Sequence, residues 1–368
     1  MPSSSEAVDL LQHLVSIPSL SGQEGEAAAW LAGWLAAHGY AARLDAAGNA
    51  VGSRGDGPRR LLLLGHIDTF PGELPVRLDG EWLHGRGTVD AKGPLCAFAA
   101  AAAAVEVPPG WQVMVVGAVE EEAATSRGAR YLLCRDQPPP EVCVIGEPSG
   151  WDRVTLGYKG RLLVDVWLRA PFAHSASHAR LPAEQAVDLW NVVVAYCEHF
   201  NAGRDKAFDR LDPSLRHIAT RDEGAYGIAE LSLGFRLPPG LMPEALADEL
   251  QRVLRAEGWG LEAVRLDGRL VDLTFSGAEL AFRAEKNTPL VRAFLAAIRQ
   301  QGGQSRFVVK TGTSDMNVVG PAWNCPICAY GPGDSALDHT PDERINLREY
   351  LQSIEVLKSM LHNLMWQE

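Results

Sequence analysis

The sequence predicts an α/β domain with a mixed, largely parallel sheet and flanking helices, interrupted by an inserted α+β domain. Three observations predict it. Apolar runs of strand length alternate with helical patterns up to Gly157. Beyond Gly157 the pattern becomes half-exposed alternating strands and two long amphipathic helices. Near Asn287 the strand–helix alternation resumes. The expected boundaries are 1–157 with 283–368 for the α/β domain and 158–282 for the insert. A chain of 368 residues exceeds what one core usually supports, in line with two domains.

The elements follow in order. Residues 4–40 carry two helical patterns, the second (GEAAAWLAGWLAAHG) stopping at Gly39. LDAAGNAVGSR reads as a hairpin. LLLLGHID is a continuous apolar run ending in polar groups, as in a central strand buried on both faces. The Ala-rich stretch from Cys96 is too short for a membrane span and reads as a buried helix. The strand WQVMVVGAVE, a helix near 126–134 and the strand EVCVIGE complete the first segment. In the insert, GRLLVDVWLRA, GIAELSLGFRLPP and VRLDGRLVDLTFSG read as antiparallel strands. LPAEQAVDLWNVVVAYCEHF and MPEALADELQRVLRAEG read as helices. The last segment offers the helix TPLVRAFLAAIRQQGG, a strand and loop over RFVVKTGTSD, the strand ICAYGPG and a final helix from Asn346. Trp30 and Trp34 share one helical face and read as core.

Composition narrows the function. The formal charge of −12 argues against nucleic acid or an anionic membrane as a main partner, because both reward basic surfaces. MPSSSEAVDLLQHLVSIPSL has neither the basic start nor the apolar stretch of a secretion signal. Six cysteines in such a chain read as reduced thiols, and a cytoplasmic location is expected. Cys325-Pro326-Ile327-Cys328 has no second pair to complete a zinc knuckle, so buried thiols are the better reading.

The candidate chemistry sits just after predicted strands, where open α/β sheets place ligands. In Gly65-His66-Ile67-Asp68-Thr69, a continuing strand points His66 and Asp68 the same way, so the carboxylate can orient the ring. The plain alternative is a satisfied polar pair at a strand end. Asp90, within Gly85–Gly93, is a candidate oxygen ligand; the phosphate-loop pattern GxxxxGK[ST] is absent there. Glu120, Glu121 and Glu122 follow an apolar strand and would repel one another without a cation; the alternative is a solvated acidic loop. Glu147 in GEPS and His339 in GDSALDHTPD complete the set. Histidine and carboxylates without thiolates suit catalytic zinc, with cobalt or manganese as alternatives.

GHIDT, GRGTVDAKG, EEE, GEPS and DHTPDE occur here in the order found in the dinuclear-zinc aminoacylase and carboxypeptidase family, which the chain resembles over nearly its whole length. The resemblance implies two zinc ions per subunit, or cobalt in their place. It implies His66, Asp90, Glu122, Glu147 and His339 as ligands, Asp90 bridging. It implies Asp68 as the acid supporting His66 and Glu121 as general base. A register shifted by one would instead make Glu120 the base. The insert then resembles a lid and dimerisation domain. His174 corresponds to a residue that reaches across a dimer to polarise the amide oxygen. Arg236 and the Gly312-Thr313-Ser314 loop correspond to groups that hold a substrate carboxylate.

Three longer runs, VIGEPSGWDRVTLGYKGRLLV, VVKTGTSDMNVVGP and AYGPGDSALDHTPDE, resemble one branch of the family. That branch frees lysine, and in some organisms ornithine, from the C-terminal glutamate of a small acidic amino-group carrier protein, in lysine and arginine biosynthesis. The implied protein is a homodimer whose partner is that carrier, with Lys159, Arg161 and Lys310 as candidate contacts to its anionic groups. Deacylation of free acetylornithine or acetyl-lysine, a dipeptidase activity, and a catalytically inert binding module are the alternatives.

Overall fold

In the computed structural model, which describes residues 2–134, 138–171, 180–260 and 270–366, the chain opens with helix α1 (Ser4–Ser16). Ser3 Oγ accepts from the Glu6 amide (3.3 Å) and Glu6 returns the bond to the Ser3 amide (2.7 Å), satisfying two orphan donors of the first turn. Helix α2 (Gly25–Ala37) ends before Gly39, whose φ of +84° costs an L-residue but not glycine. Strands β1 (Ala41–Leu44), β2 (Ala50–Arg54), β3 (Arg59–His66), β4 (Arg77–Asp79) and β5 (Trp82–His84) lead to helix α3 (Lys92–Ala104). Strand β6 (Trp111–Ala118), helix α4 (Arg127–Leu133) and strands β7 (Val142–Gly146) and β8 (Arg153–Tyr158) close the first segment.

The next segment holds β9 (Gly160–Pro171), α5 (Pro182–Phe200), β10 (Asp212–Glu223), β11 (Tyr226–Leu237), α6 (Pro243–Ala256) and β12 (Leu270–Glu279). The last holds β13 (Phe282–Arg283), α7 (Pro289–Gln300), β14 (Arg306–Lys310), α8 (Asp315–Trp323), β15 (Ile327–Ala329), β16 (Arg344–Asn346) and α9 (Leu347–Trp366). The chain forms two compact units. One comprises Met1–Gly157, Arg283–Val309 and Ser314–Glu368; the other comprises Tyr158–Phe282 and Lys310–Thr313.

The first unit is built on a mixed sheet ordered β1-β2-β6-β3-β7-β15-β8-β13, with β14 also paired to β8. Its parallel heart is β6-β3-β7-β15. The β1–β2 hairpin joins β6 antiparallel on one side, and β8 joins β15 antiparallel on the other. Leu61 to Leu64 are buried, which explains their uninterrupted apolar run. Helix α3 is buried at all 13 positions, so its alanines serve close packing rather than amphipathicity. That approach dictates two glycines. A Cβ on Gly146 would stand 2.9 Å from Phe98 of α3, and one on Gly65 would stand 3.2 Å from Leu95. Both glycines neighbour site residues, so the helix sets where the strand ends lie.

The second unit is a four-stranded antiparallel sheet, β10-β11-β9-β12. One face packs on α5 and α6 through Leu162, Val164, Val166, Leu231 and Leu233. Strand β10 escapes the sequence reading because it is an edge: most of its residues are exposed and no apolar alternation marks it. Helix α8 escapes it because Gly320 and Pro321 interrupt its nine residues. Trp30 and Trp34 are only partly buried at the core margin, stacked on His13 (4.3 Å) and His38 (3.7 Å). No helix among the described residues is long and apolar enough to cross a membrane.

Candidate metal and hydrolytic site

His66 ends β3, so its ring leaves the sheet where the strand stops, and Glu147 follows β7, the neighbouring parallel strand. Asp90 sits just before α3. Glu121 and Glu122 lie in the loop after β6. His339 comes from the loop before β16, with a φ of +61°. These segments converge in the first unit. One ring nitrogen of His66, one Asp90 oxygen and one Glu122 oxygen lie within 4.8 Å of one another, a spacing that a metal ion fits.

Asp90 lies between the two histidines. Its Oδ1 is 3.2 Å from His66 Nε2 and its Oδ2 is 3.0 Å from His339 Nε2. His339 Nε2 is also 3.0 Å from Glu122 Oε1, while Glu147 Oε1 and Glu121 Oε2 each stand 3.9 Å from His66 Nε2. Each Asp90 oxygen therefore faces its own nitrogen-and-carboxylate group. The donor set is imidazole and carboxylate, the chemistry of catalytic zinc and its substitutes, so the residues present fit a metal centre.

The electrostatics describe crowded anions. Burial, followed by the nearby carboxylates of Glu147, Asp315 and Glu122, pushes Glu121 well above the ordinary glutamate value, against the pull of His66. Glu122 rises through burial and the nearby Asp90. Burial works against charge on His66 and His339, but their carboxylate partners outweigh it and raise both, His339 to about 10. A divalent cation is the natural neutraliser of such a group.

Asp68 is a hub. One oxygen accepts the Glu121 amide (3.0 Å); the other accepts the Glu122 amide (2.9 Å) and the Ser21 hydroxyl (2.7 Å). Its Oδ1 also lies 3.5 Å from His66 Nδ1. One fully buried carboxylate thus fixes the His66 ring and the backbone of the glutamate pair together. Glu120 is held elsewhere, by Arg127 (2.8 Å) and Thr125 (2.7 Å). Sequence reading missed Ser21 and Glu24, which accepts the Glu120 amide at 3.0 Å. It also missed Lys92, whose buried ammonium donates to the carbonyls of Leu14 and Ile17. Lys92 lies beside Asp90 in sequence but carries no signature of its own, and Ser21 has no site residue near it in sequence.

In the second unit Arg236 Nη1 donates to Thr313 Oγ1 at 3.1 Å. Ser314 belongs to the first unit, and its hydroxyl caps α8 by accepting the Met316 amide (3.2 Å). Gly312 has open space around its Cα. His174 lies outside the described residues. Lys159 corrects an expectation. It is fully buried and binds Asp212 Oδ2 (2.6 Å) and the carbonyls of Ala207 and Arg210, so it offers no charge to a partner. Cys328 is buried on β15 and Cys325 partly so, both as free thiols.

Comparison with known proteins places this arrangement. The profile described as Peptidase family M20/M25/M40 matches residues 62–363. The LysW-lysine hydrolase of Deinococcus radiodurans is 44% identical over 99% of this chain and 98% of its own length. A protein of Thermococcus kodakarensis, named a putative LysW-lysine/LysW-ornithine hydrolase, is 39% identical over 99% of this chain and 94% of its own. Among solved structures, an M20 family metallo-carboxypeptidase from Sulfolobus solfataricus superposes with a TM-score of 0.79 at 18% identity, covering 98% of this chain and 99% of that one. A Bacillus subtilis protein described as a dinuclear metal binding peptidase from the M20 family superposes at 0.71 with 12% identity, covering 99% of each. A sheet that gathers histidines and carboxylates at its strand ends, and relatives aligned from end to end, lead to one conclusion: the chain belongs to the M20/M25/M40 peptidase family and is a hydrolase of that metal-dependent group.

Proposed function

We propose that this protein is a metal-dependent amidohydrolase that releases L-lysine, with L-ornithine as the alternative product, from the C-terminal glutamate of a small acidic amino-group carrier protein. The observation that carries the substrate is the end-to-end 44% identity to a LysW-lysine hydrolase. In this reading His66, Asp90 and Glu147 would hold one cation, and Asp90, Glu122 and His339 a second. Zinc suits the donors and cobalt is the alternative. When bound, such ions supply Lewis acidity to the scissile carbonyl and bring the pKa of water toward neutrality.

The chain's own residues do the rest. Glu121 takes the proton of the attacking water and delivers it to the departing α-amine. Asp68 keeps Glu121, Glu122 and His66 in register. Arg236, with Thr313 beside it, receives the lysine α-carboxylate in a planar fork, flanked by Gly312 and Ser314. His174 polarises the amide oxygen. The 158–282 insert acts as lid and dimerisation domain of a cytoplasmic homodimer.

Arg236→Ala is expected to raise KM for the lysine-bearing substrate by roughly 10- to 100-fold, the loss of one charged hydrogen-bonding partner, with a smaller change in kcat. Steady-state kinetics on the zinc-loaded enzyme checks it. The function itself is tested by mass spectrometry of carrier protein bearing lysine on its terminal glutamate, beside acetyl-lysine and acetylornithine. Loss of one lysine from the carrier, with the free compounds intact, is expected. Cleavage of the free compounds alone would overturn the carrier as substrate and leave the hydrolytic chemistry standing.

A further inference from the structure

Glu343 is 1% exposed and lies four residues after His339. Strand β16 begins at the next residue and pairs antiparallel with β5, Arg344 opposite His84 and Asn346 opposite Trp82. That ladder sets Glu343 alongside the loop that runs from β5 to Asp90. Its Oε1 accepts three backbone amides of that loop: Gly87 (2.9 Å), Val89 (3.0 Å) and Asp90 itself (3.2 Å). Its Oε2 takes Arg86 Nη1 at 2.7 Å, and its own carbonyl accepts the Gly85 amide at 3.3 Å. Every described contact of this carboxylate is to residues 85–90.

Arg86 extends the connection. Its Nε donates to the Gly72 carbonyl (3.0 Å), and its guanidinium lies 6.0 Å from the Phe70 ring. Phe70 stacks on His339 at 4.2 Å, with the rings 10° from parallel. The loops bearing Asp90 and His339 therefore meet at one ion pair, its carboxylate buried and its guanidinium partly so. Concave runs of backbone amides closing on a carboxylate form strong, directional anion sites, and a charge-assisted bond from arginine strengthens them. An Asp90 amide fixed in this way fixes the point from which its side chain leaves the loop.

We propose that Glu343, held by Arg86, is a positioning residue of the metal centre that sets the Asp90 carboxylate between His66 and His339. The proposal rests on the reading of Asp90 as a metal ligand. Side chains that orient ligands in this way typically contribute 10- to 100-fold to metal affinity. Glu343→Ala removes the acceptor of all three amides. Glu343→Gln keeps one oxygen for them but turns an NH2 donor toward the Arg86 donor, so it loses the ion pair and should restore only part of the lost affinity.

The test uses metal-stripped full-length protein titrated with Co2+ against a chromophoric chelator, with the visible absorption of the bound ion as a report on its coordination. Glu343→Ala is expected to weaken Co2+ binding by about 10- to 100-fold and to alter the spectrum, with Glu343→Gln between it and the wild type. Asp90→Asn serves as the reference. If Asp90→Asn binds Co2+ as the wild type does, the ligand reading itself fails. If Asp90→Asn loses the ion while Glu343→Ala keeps wild-type affinity and spectrum, the positioning role is overturned and the ligand reading survives. Should Glu343→Ala fail to fold, Glu343→Asp carries the same test. It keeps the charge but withdraws the acceptor by one methylene, and wild-type affinity and spectrum there overturn the proposal equally.

Discussion

Glu121→Gln is expected to lower kcat by a factor of about 10² to 10⁴, the usual contribution of a positioned general base, while the protein keeps its metal. Three observations lead there. Glu121 Oε2 stands 3.9 Å from His66 Nε2, at the edge of the cluster, the same distance as Glu147 Oε1. Its amide is pinned by Asp68, so the side chain leaves the loop from a fixed point. Glu120, its rival in the triplet, is occupied by Arg127 and Thr125. Glutamine matches glutamate in shape but cannot accept the proton of water. Kinetics and metal analysis on one preparation decide the matter. Near-normal turnover by Glu121→Gln would move the base to Glu120.

Asp68→Ala is expected to fail differently, losing metal and stability together. The substitution strands the part-buried amides of Glu121 and Glu122, each at a cost of up to roughly 1–3 kcal/mol. It also frees the His66 ring, whose orientation supports ligation. Metal affinity should fall by about 10- to 100-fold and thermal unfolding should move to lower temperature even in metal-free protein. Wild-type unfolding of the metal-free variant would contradict the hub role. Ser21→Ala removes one hydroxyl from the same carboxylate and should show a milder version of both effects.

The parts of this structure that could be read from sequence are those written locally. Leu61–Leu64 announce a strand buried on both faces because every side chain there meets a hydrophobic layer. Cys96–Ala104 announce a helix inside the core because alanine at successive positions suits only close packing. His66, Glu122 and Glu147 stand out because polar groups just past apolar strands have few other reasons to be there, whereas Asp90 and His339 sit in loops before α3 and β16. Resemblance to a family then supplied roles that spacing alone leaves open.

What stayed hidden depends on distant partners. Ser21 is an ordinary loop serine until Asp68, 47 residues away, accepts its hydroxyl. Glu343 looks like one more acid in DHTPDE until the Gly87 amide, 256 residues away, meets it. Lys159 resembled a surface cation because lysine usually is one. Only the 207–212 segment folding back over it makes burial affordable, by supplying two carbonyls and a carboxylate. Strand β10 shows the same limit for the fold, since an exposed edge strand takes its shape from its neighbour rather than from its own pattern.

On the proposed function, amide hydrolysis by this protein depends on divalent ions held by His66, Asp90, Glu122, Glu147 and His339. Chelator-stripped protein titrated with Zn2+, with lysine release from the carrier conjugate followed at each addition, tests it most directly. No release is expected without metal, with a rise that levels off at two equivalents per chain. Undiminished release by the stripped protein, or a plateau at one equivalent, would contradict it.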